Sequence, residues 1–183
     1  MYVFNQKLGL TDFETCKEKC PTISGNAFKK GDMHIPCITS FDMNHQLLAW
    51  MTEKYGPDKS FVWIGHRTEN NGDDGKWVEP ACEKFQQDQY KGDFINRNGC
   101  AFKGDTKEPK CSGSEFDKAQ GCAVLVYAGT ETGAAALNLP SGDIDSYDEL
   151  HGNWIKSDKE CTNVDVPSLG PKKTVNCICQ KIM

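Results

Sequence analysis

Ten cysteines fall in a chain of 183 residues, and no other feature of the sequence constrains its fold as much. A reducing compartment rarely preserves so many thiols unless they hold a metal. The spacing does not suit a metal: there is no C-x-x-C pair, and the close pairs are Cys16 with Cys20 and Cys177 with Cys179. His34, His45, His66 and His151 stand beside no cysteine at ligand spacing. The even count therefore reads as five disulfides in a secreted or extracellular protein, or in the ectodomain of a surface protein. No signal peptide is visible, so the expectation is a mature form with Met1 supplied by expression. There is no N-x-S/T sequon to mark secretion by an N-glycan.

The length fits one domain over 1–183. Hydrophobic residues make up 38% of the chain, enough for one core and too many for wholesale disorder. The longest apolar stretch, Ala123 to Ala128, is far shorter than the roughly 20 residues that span a bilayer, so no membrane insertion is expected. The net charge of -5 is concentrated in 130–160, where seven acids face only Lys156 and Lys159. No block is basic enough to suggest nucleic acid as a partner.

Residues Tyr2 to Gln6 alternate bulky and polar side chains and read as a strand. Thr11 and Glu14 stand three apart as a capping box for a first helix that shows Phe13, Cys16 and Cys20 on one face and stops at Pro21. Residues 21–36 read as loop. A second helix is expected from Ser40 to about Tyr55, with Leu47, Leu48, Met51 and Tyr55 as its apolar stripe and Gly56 and Pro57 ending it. Strands follow at 61–65 (FVWIG), 76–79 (KWVE), 122–128 (CAVLVYA), 152–155 (GNWI) and 174–182 (TVNCICQKI). NNGDDG at 70–75 reads as a hairpin turn, because Asn, Asp and Gly tolerate positive φ. Its acids do not fit an EF-hand, since Ala81 falls where the bidentate glutamate should stand. A long-loop region at about 81–121 carries Cys82, Cys100 and Cys111, and a loop insertion spans about 129–151. Loops of this length need staples or a function.

Taken in order, these pieces resemble a C-type lectin-like domain. The resemblance rests on Cys16 in the first helix, Trp63-Ile64-Gly65, the Gly-Lys-Trp turn at 75–77, Gly121-Cys122-Ala123, Trp154 before Cys161, and Ile178-Cys179-Gln180. It implies an α+β fold, two helices flanking two small antiparallel sheets with long disulfide-stapled loops, in which the first and last strands pair. It also implies two disulfides, Cys16 with Cys179 and Cys122 with Cys161. Further pairings are read as Cys100 with Cys111 inside the long loop, and Cys20 with Cys177, since 16 and 20 share a helix face while 177 and 179 share a strand face. Cys37 and Cys82 are then left to each other. A crosslink as long as Cys16 to Cys179 is worth about 4 to 5 kcal/mol in the chain-entropy model.

Sugar-binding members of that family place Glu-Pro-Asn or Gln-Pro-Asp in the long loop and Trp-Asn-Asp before the third cysteine, supplying oxygens to Ca²⁺, which keeps positions open for two sugar hydroxyls. The nearest match here is Glu108-Pro109-Lys110, and a competing register brings Asp93 and Asn96 near the site after Tyr90. The strand motif reads Trp154-Ile155-Lys156, so two oxygen ligands are missing and a lysine is added. The usual calcium site is therefore expected to be broken, unless Asn153 or Asp158 swings in beside Glu108, or Asp143, Asp145, Asp148 and Glu149 fold over the site. Calcium dependence stays open at this point. One hypothesis has Lys156 or Lys110 standing in the cation's place against Glu108, with solvated surface charges as its rival.

The resemblance thus implies an extracellular module for a glycan or glycoprotein, with Tyr90, Asp93, Asn96, Glu108, Lys110, Trp154, Lys156 and Asp158 as candidate ligand-binding residues. The alternative is a calcium-independent domain of the same fold that binds a protein or other non-sugar partner. Tyr90, Phe94 and Phe102 suit either as contact aromatics. No G-x-S-x-G, H-E-x-x-H, P-loop or G-x-G-x-x-G motif is found, and the four histidines read as surface residues, so no catalysis is expected.

Overall fold

The computed structural model describes residues 4–38, 41–58, 60–70, 75–80, 82, 120–127, 154–166 and 170–181. Strand β1 (Phe4–Leu10) leads into helix α1 (Phe13–Lys19), a 3₁₀ turn (Cys20–Thr22), a short β2 (Met33–His34) and helix α2 (Phe41–Tyr55). Then come β3 (Ser60–Thr68), β4 (Lys76–Trp77), β5 (Gly121–Tyr127), β6 (Trp154–Lys156), β7 (Val164–Val166), β8 (Gly170–Lys173) and β9 (Asn176–Lys181). The chain is α+β, and both expected helices form. Strands β2, β7 and β8 have no counterpart in the sequence reading; each is only two to four residues long, too short for a period to show.

The first and last strands do pair: β1 runs antiparallel to β9, with Phe4 opposite Gln180 and Gly9 opposite Cys177. Among the described residues, the two halves do not form two separate small antiparallel sheets. Instead, among the described residues, one seven-stranded sheet has the order β1-β9-β3-β5-β6, with β2 added on β9 and β4 on β3, and β7 and β8 make a separate two-stranded sheet. Nine-residue β3 is the reason: it pairs antiparallel with β5 along its length and meets β9 in parallel at Val62 and Asn176, so it joins both halves.

Both faces of the central strands are covered. Phe61, Trp63, Val124, Val126, Cys177 and Cys179 pack with Phe13, Cys16 and Cys20 on one side. Val62, Ile64, Leu125, Tyr127 and Ile178 pack with Leu47, Leu48 and Met51 of α2 on the other. Successive strand residues therefore enter different cores, which is why FVWIG and CAVLVY read as unbroken apolar runs. Gly65 lets β3 pass close to the preceding loop: its N–H donates to Pro36 O at 2.6 Å, and a Cβ there would lie 2.9 Å from Ile35 Cγ2.

Helix α1 is capped by Asp12, not Thr11. The Asp12 carboxylate accepts from Thr15 N at 2.7 Å. Thr11 is held by tertiary hydrogen bonds, its N–H donating to Val175 O at 3.1 Å and its carbonyl accepting from the Trp63 indole at 2.7 Å. The Glu14 carboxylate pairs with Arg67 on β3 and with Lys17 rather than with a cap amide.

Four disulfides lie among the described residues: Cys16–Cys177, Cys20–Cys179, Cys37–Cys82 and Cys122–Cys161. The last two match expectation, and Cys100 and Cys111 fall outside the described residues. The two rungs between α1 and β9 are present, with their partners exchanged relative to the expected Cys16–Cys179 and Cys20–Cys177. Direction explains the exchange. The Thr11–Val175 hydrogen bond sets the start of α1 beside the start of β9, so helix and strand advance together and Cys16 meets Cys177 first. Four helical residues rise about 6 Å and two strand residues about 6.6 Å, so the second rung falls in step with the first. Both rungs have Cα–Cα distances of 5.4 Å.

Because both rungs close the same long loop, their contributions are not additive. With Cys16–Cys177 intact, the Cys20–Cys179 rung closes only a small ring. Replacing Cys20 and Cys179 by serine is expected to cost about 2 kcal/mol, and replacing all four cysteines roughly three times as much. Guanidinium unfolding of the two variants checks the ratio; equal losses would contradict it.

Candidate functional site

The Trp154 strand and the turn that follows it, with Asp158, are the parts of the expected ligand site among the described residues. β6 pairs antiparallel with β5, setting Trp154 opposite Leu125 and Lys156 opposite Ala123. Along β3, His66 and Thr68 continue the line of Val62 and Ile64 toward the rim of the α2-side core, and His66 stands opposite Trp77 on β4. Alternation thus brings a polar row to the end of an apolar face.

Three aromatic rings interlock there. His66 meets Trp77 edge-on at 5.3 Å between ring centroids, and Trp77 meets Trp154 edge-on at 5.8 Å. Trp77 and Trp154 are buried, so neither offers a flat face for sugar stacking. The Lys156 ammonium donates to Thr68 Oγ1 at 2.7 Å. Gly75 closes the corner with φ +73°, and a Cβ there would lie 2.6 Å from His66 Cε1 and 2.7 Å from Thr68 Oγ1.

His66 is only 3% exposed, not the surface residue expected, and among the described residues neither of its ring nitrogens has a hydrogen-bond partner. The indole nitrogen of Trp77 likewise has no hydrogen-bond partner among the described residues. Burial, aided by the nearby positive charge of Lys156, pushes the His66 pKa down to about 3. The imidazole is therefore neutral at physiological pH, and protonating it means placing a second cation in a dry corner. The period-two line 62, 64, 66, 68 was the sequence signal that could have found this residue.

Asp158 follows β6 and organises the next turn. Its Oδ1 accepts from Thr162 N at 2.7 Å and Asn163 N at 3.0 Å, and its Oδ2 accepts from the Thr162 hydroxyl at 2.6 Å. Burial alone would raise its pKa, but the Thr162 hydroxyl and the two amides outweigh that and hold the carboxyl below its ordinary range. Its hydrogen bonds point it into its own loop. That loop carries Cys161 at φ 59°, the Cys122–Cys161 disulfide and Ser157, whose hydroxyl accepts from Cys122 N at 2.9 Å.

Of the sequence-predicted site residues, the structure brings Trp154, Lys156 and Asp158 to one strand and its following turn. Tyr90, Asp93, Asn96, Glu108, Lys110 and Asn153 lie outside the described residues, as do Phe94, Phe102 and the acids at 143–149. Among the described residues, the one grouping with metal-ligand geometry is Cys16, Cys20 and Cys177, and all three sulfurs are already in disulfides. No protein-family model matches the chain, and no curated protein matches it.

The depressed His66 pKa has a defined sign. The unfolded chain binds this proton from about pH 6.5 downward and the folded chain only near 3, so stability falls as pH drops between those values. The Asp158 contribution is fully present above about 3.8 and is lost only below that, so it does not enter a comparison between pH 7.5 and 4.5. At pH 4.5 the His66 penalty amounts to about 2 to 3 kcal/mol. The native protein is expected to lose roughly 5 to 10 °C more in Tm between pH 7.5 and 4.5 than a His66→Leu variant does. Parallel melting curves for the two would contradict the assignment.

Proposed function

We propose that this chain is an extracellular ligand-recognition module on the C-type lectin-like plan, and that it binds glycan without a calcium ion at the Trp154 strand. Four disulfides fit an oxidising, extracellular setting. No helix among the described residues is long and apolar enough to cross a membrane. The paired first and last strands, the rungs from α1 to β9 and the Cys122–Cys161 link beside Trp154 support the lectin-like plan.

The observation that carries the metal-free reading is the Lys156–Thr68 hydrogen bond. Where the resemblance calls for an oxygen ligand, the side chain is an ammonium directed across β5 at Thr68 on β3. An ammonium and a calcium ion cannot share that position without strong repulsion. Asp158, the nearest described carboxylate after Trp154, is engaged in its own turn. The glycan class itself is supported by the resemblance. The same lysine favours a second reading, metal-free recognition of a protein surface, because sugar binding in the resembled family goes through the ion.

Melting the protein in calcium and again in EDTA tests the metal-free claim. The two Tm values are expected to agree within about 1 °C, whereas an occupied site at a hundredfold excess over its Kd would raise Tm by roughly 5 to 10 °C. A glycan array run in both buffers tests the ligand class. EDTA-insensitive signals support glycan, and silence in both buffers favours the protein partner.

A further inference from the structure

We infer that Cys16, Cys20, Cys177 and Cys179 form a single thiol-exchange site, in which opening either rung by a small thiol transfers the remaining disulfide to Cys20–Cys177. Although they belong to different disulfides, Cys20 Sγ and Cys177 Sγ lie 3.7 Å apart. The sulfurs of Cys16, Cys20 and Cys177 all fall within 4.8 Å of one another. Exchange proceeds by attack of a thiolate on a disulfide sulfur, so a thiolate released at either position stands in contact with its next target.

The route is the same from either rung. A dithiol attacks Cys179 Sγ and expels the Cys20 thiolate. Cys20 then attacks Cys177 Sγ, forming Cys20–Cys177 and expelling Cys16. The second thiol of the reagent closes on the first, leaving as a cyclic disulfide and freeing Cys179. One protein disulfide is reduced, one dithiol is oxidised, and its two protons end on Cys16 and Cys179. Entry through Cys16 Sγ expels Cys177 instead, which attacks Cys20 Sγ and gives the identical product.

The surroundings favour transfer over release. All four sulfurs are buried among Phe13, Met33 and Val175, where a thiolate is poorly solvated and a neighbouring disulfide is its nearest electrophile. Access comes by opening of α1, a seven-residue helix too short to hold itself without packing. The consequence is a clamp that stays closed through a two-electron reduction, with α1 still bonded to β9.

The test is partial reduction of the native full chain with limiting dithiothreitol, then iodoacetamide and peptide mapping. Trypsin cuts at Lys17 and Lys19, separating Cys16 from Cys20, and fragmentation across Ile178 separates Cys177 from Cys179. The expected two-electron product carries a Cys20–Cys177 link with Cys16 and Cys179 alkylated. Survival of Cys16–Cys177 or Cys20–Cys179 as the lone remaining rung, with no Cys20–Cys177, overturns the inference. In a folded variant with Cys16→Ser and Cys179→Ser, the two remaining cysteines are expected to be joined, and two free thiols there would also overturn it. Should that variant not fold, the native reduction decides alone.

Discussion

The attachment of α1 to β9 is the constraint on which the rest of this structure depends. It joins residue 16 to 177 and residue 20 to 179, so almost the whole chain becomes one closed loop. β1 hydrogen-bonds to β9 immediately before the helix begins, and the Trp63 indole reaches Thr11 O from the middle of β3. Helix, closing strand and central strand thus meet at one corner. In the unfolded chain that corner requires contacts more than 150 residues apart, and covalent closure removes most of the entropy those contacts must overcome.

With that corner fixed, the central strands are buried on both faces and the polar chemistry is pushed to the rim. Val62 and Ile64 face α2, while His66 and Thr68 continue the same line to where β4 and β6 end. Lys156 and Thr68 satisfy each other there, and His66 stays dry and neutral between Trp77 and Gly75. A buried imidazole with no hydrogen-bond partner among the described residues is costly. Its persistence beside Lys156 makes this end of the sheet less acid-tolerant than the α1 side, where Cys16, Cys20, Cys177 and Cys179 are held in disulfides and do not titrate.

Much of this was legible in the sequence where a pattern was long. The apolar stripe of α2 and the runs at 61–65 and 122–128 each located an element, and the shared-face spacing of 16/20 and 177/179 located the two rungs. Which sulfur joined which was not legible, because face periodicity fixes alignment but not the relative direction of two elements. The helix cap was misplaced by one residue for a tertiary reason: Thr11 is tied to Val175 and Trp63, neither of which is local. His66 was read as a surface histidine because composition speaks of residue types, while its burial follows from the register of β3 against β4. At the Trp154 strand, the lysine at 156 was visible in the sequence, whereas its bond to Thr68 needed the pairing of β3, β5 and β6.

The most direct test of the account is disulfide mapping of the untreated native protein, digested with pepsin in acid so that no exchange occurs during work-up. The account predicts that Cys16 is joined to Cys177, Cys20 to Cys179 and Cys122 to Cys161. Free thiols at Cys16 or Cys20, or links from either to Cys37, Cys82 or Cys122, would contradict the closed corner and with it the fold built on that corner.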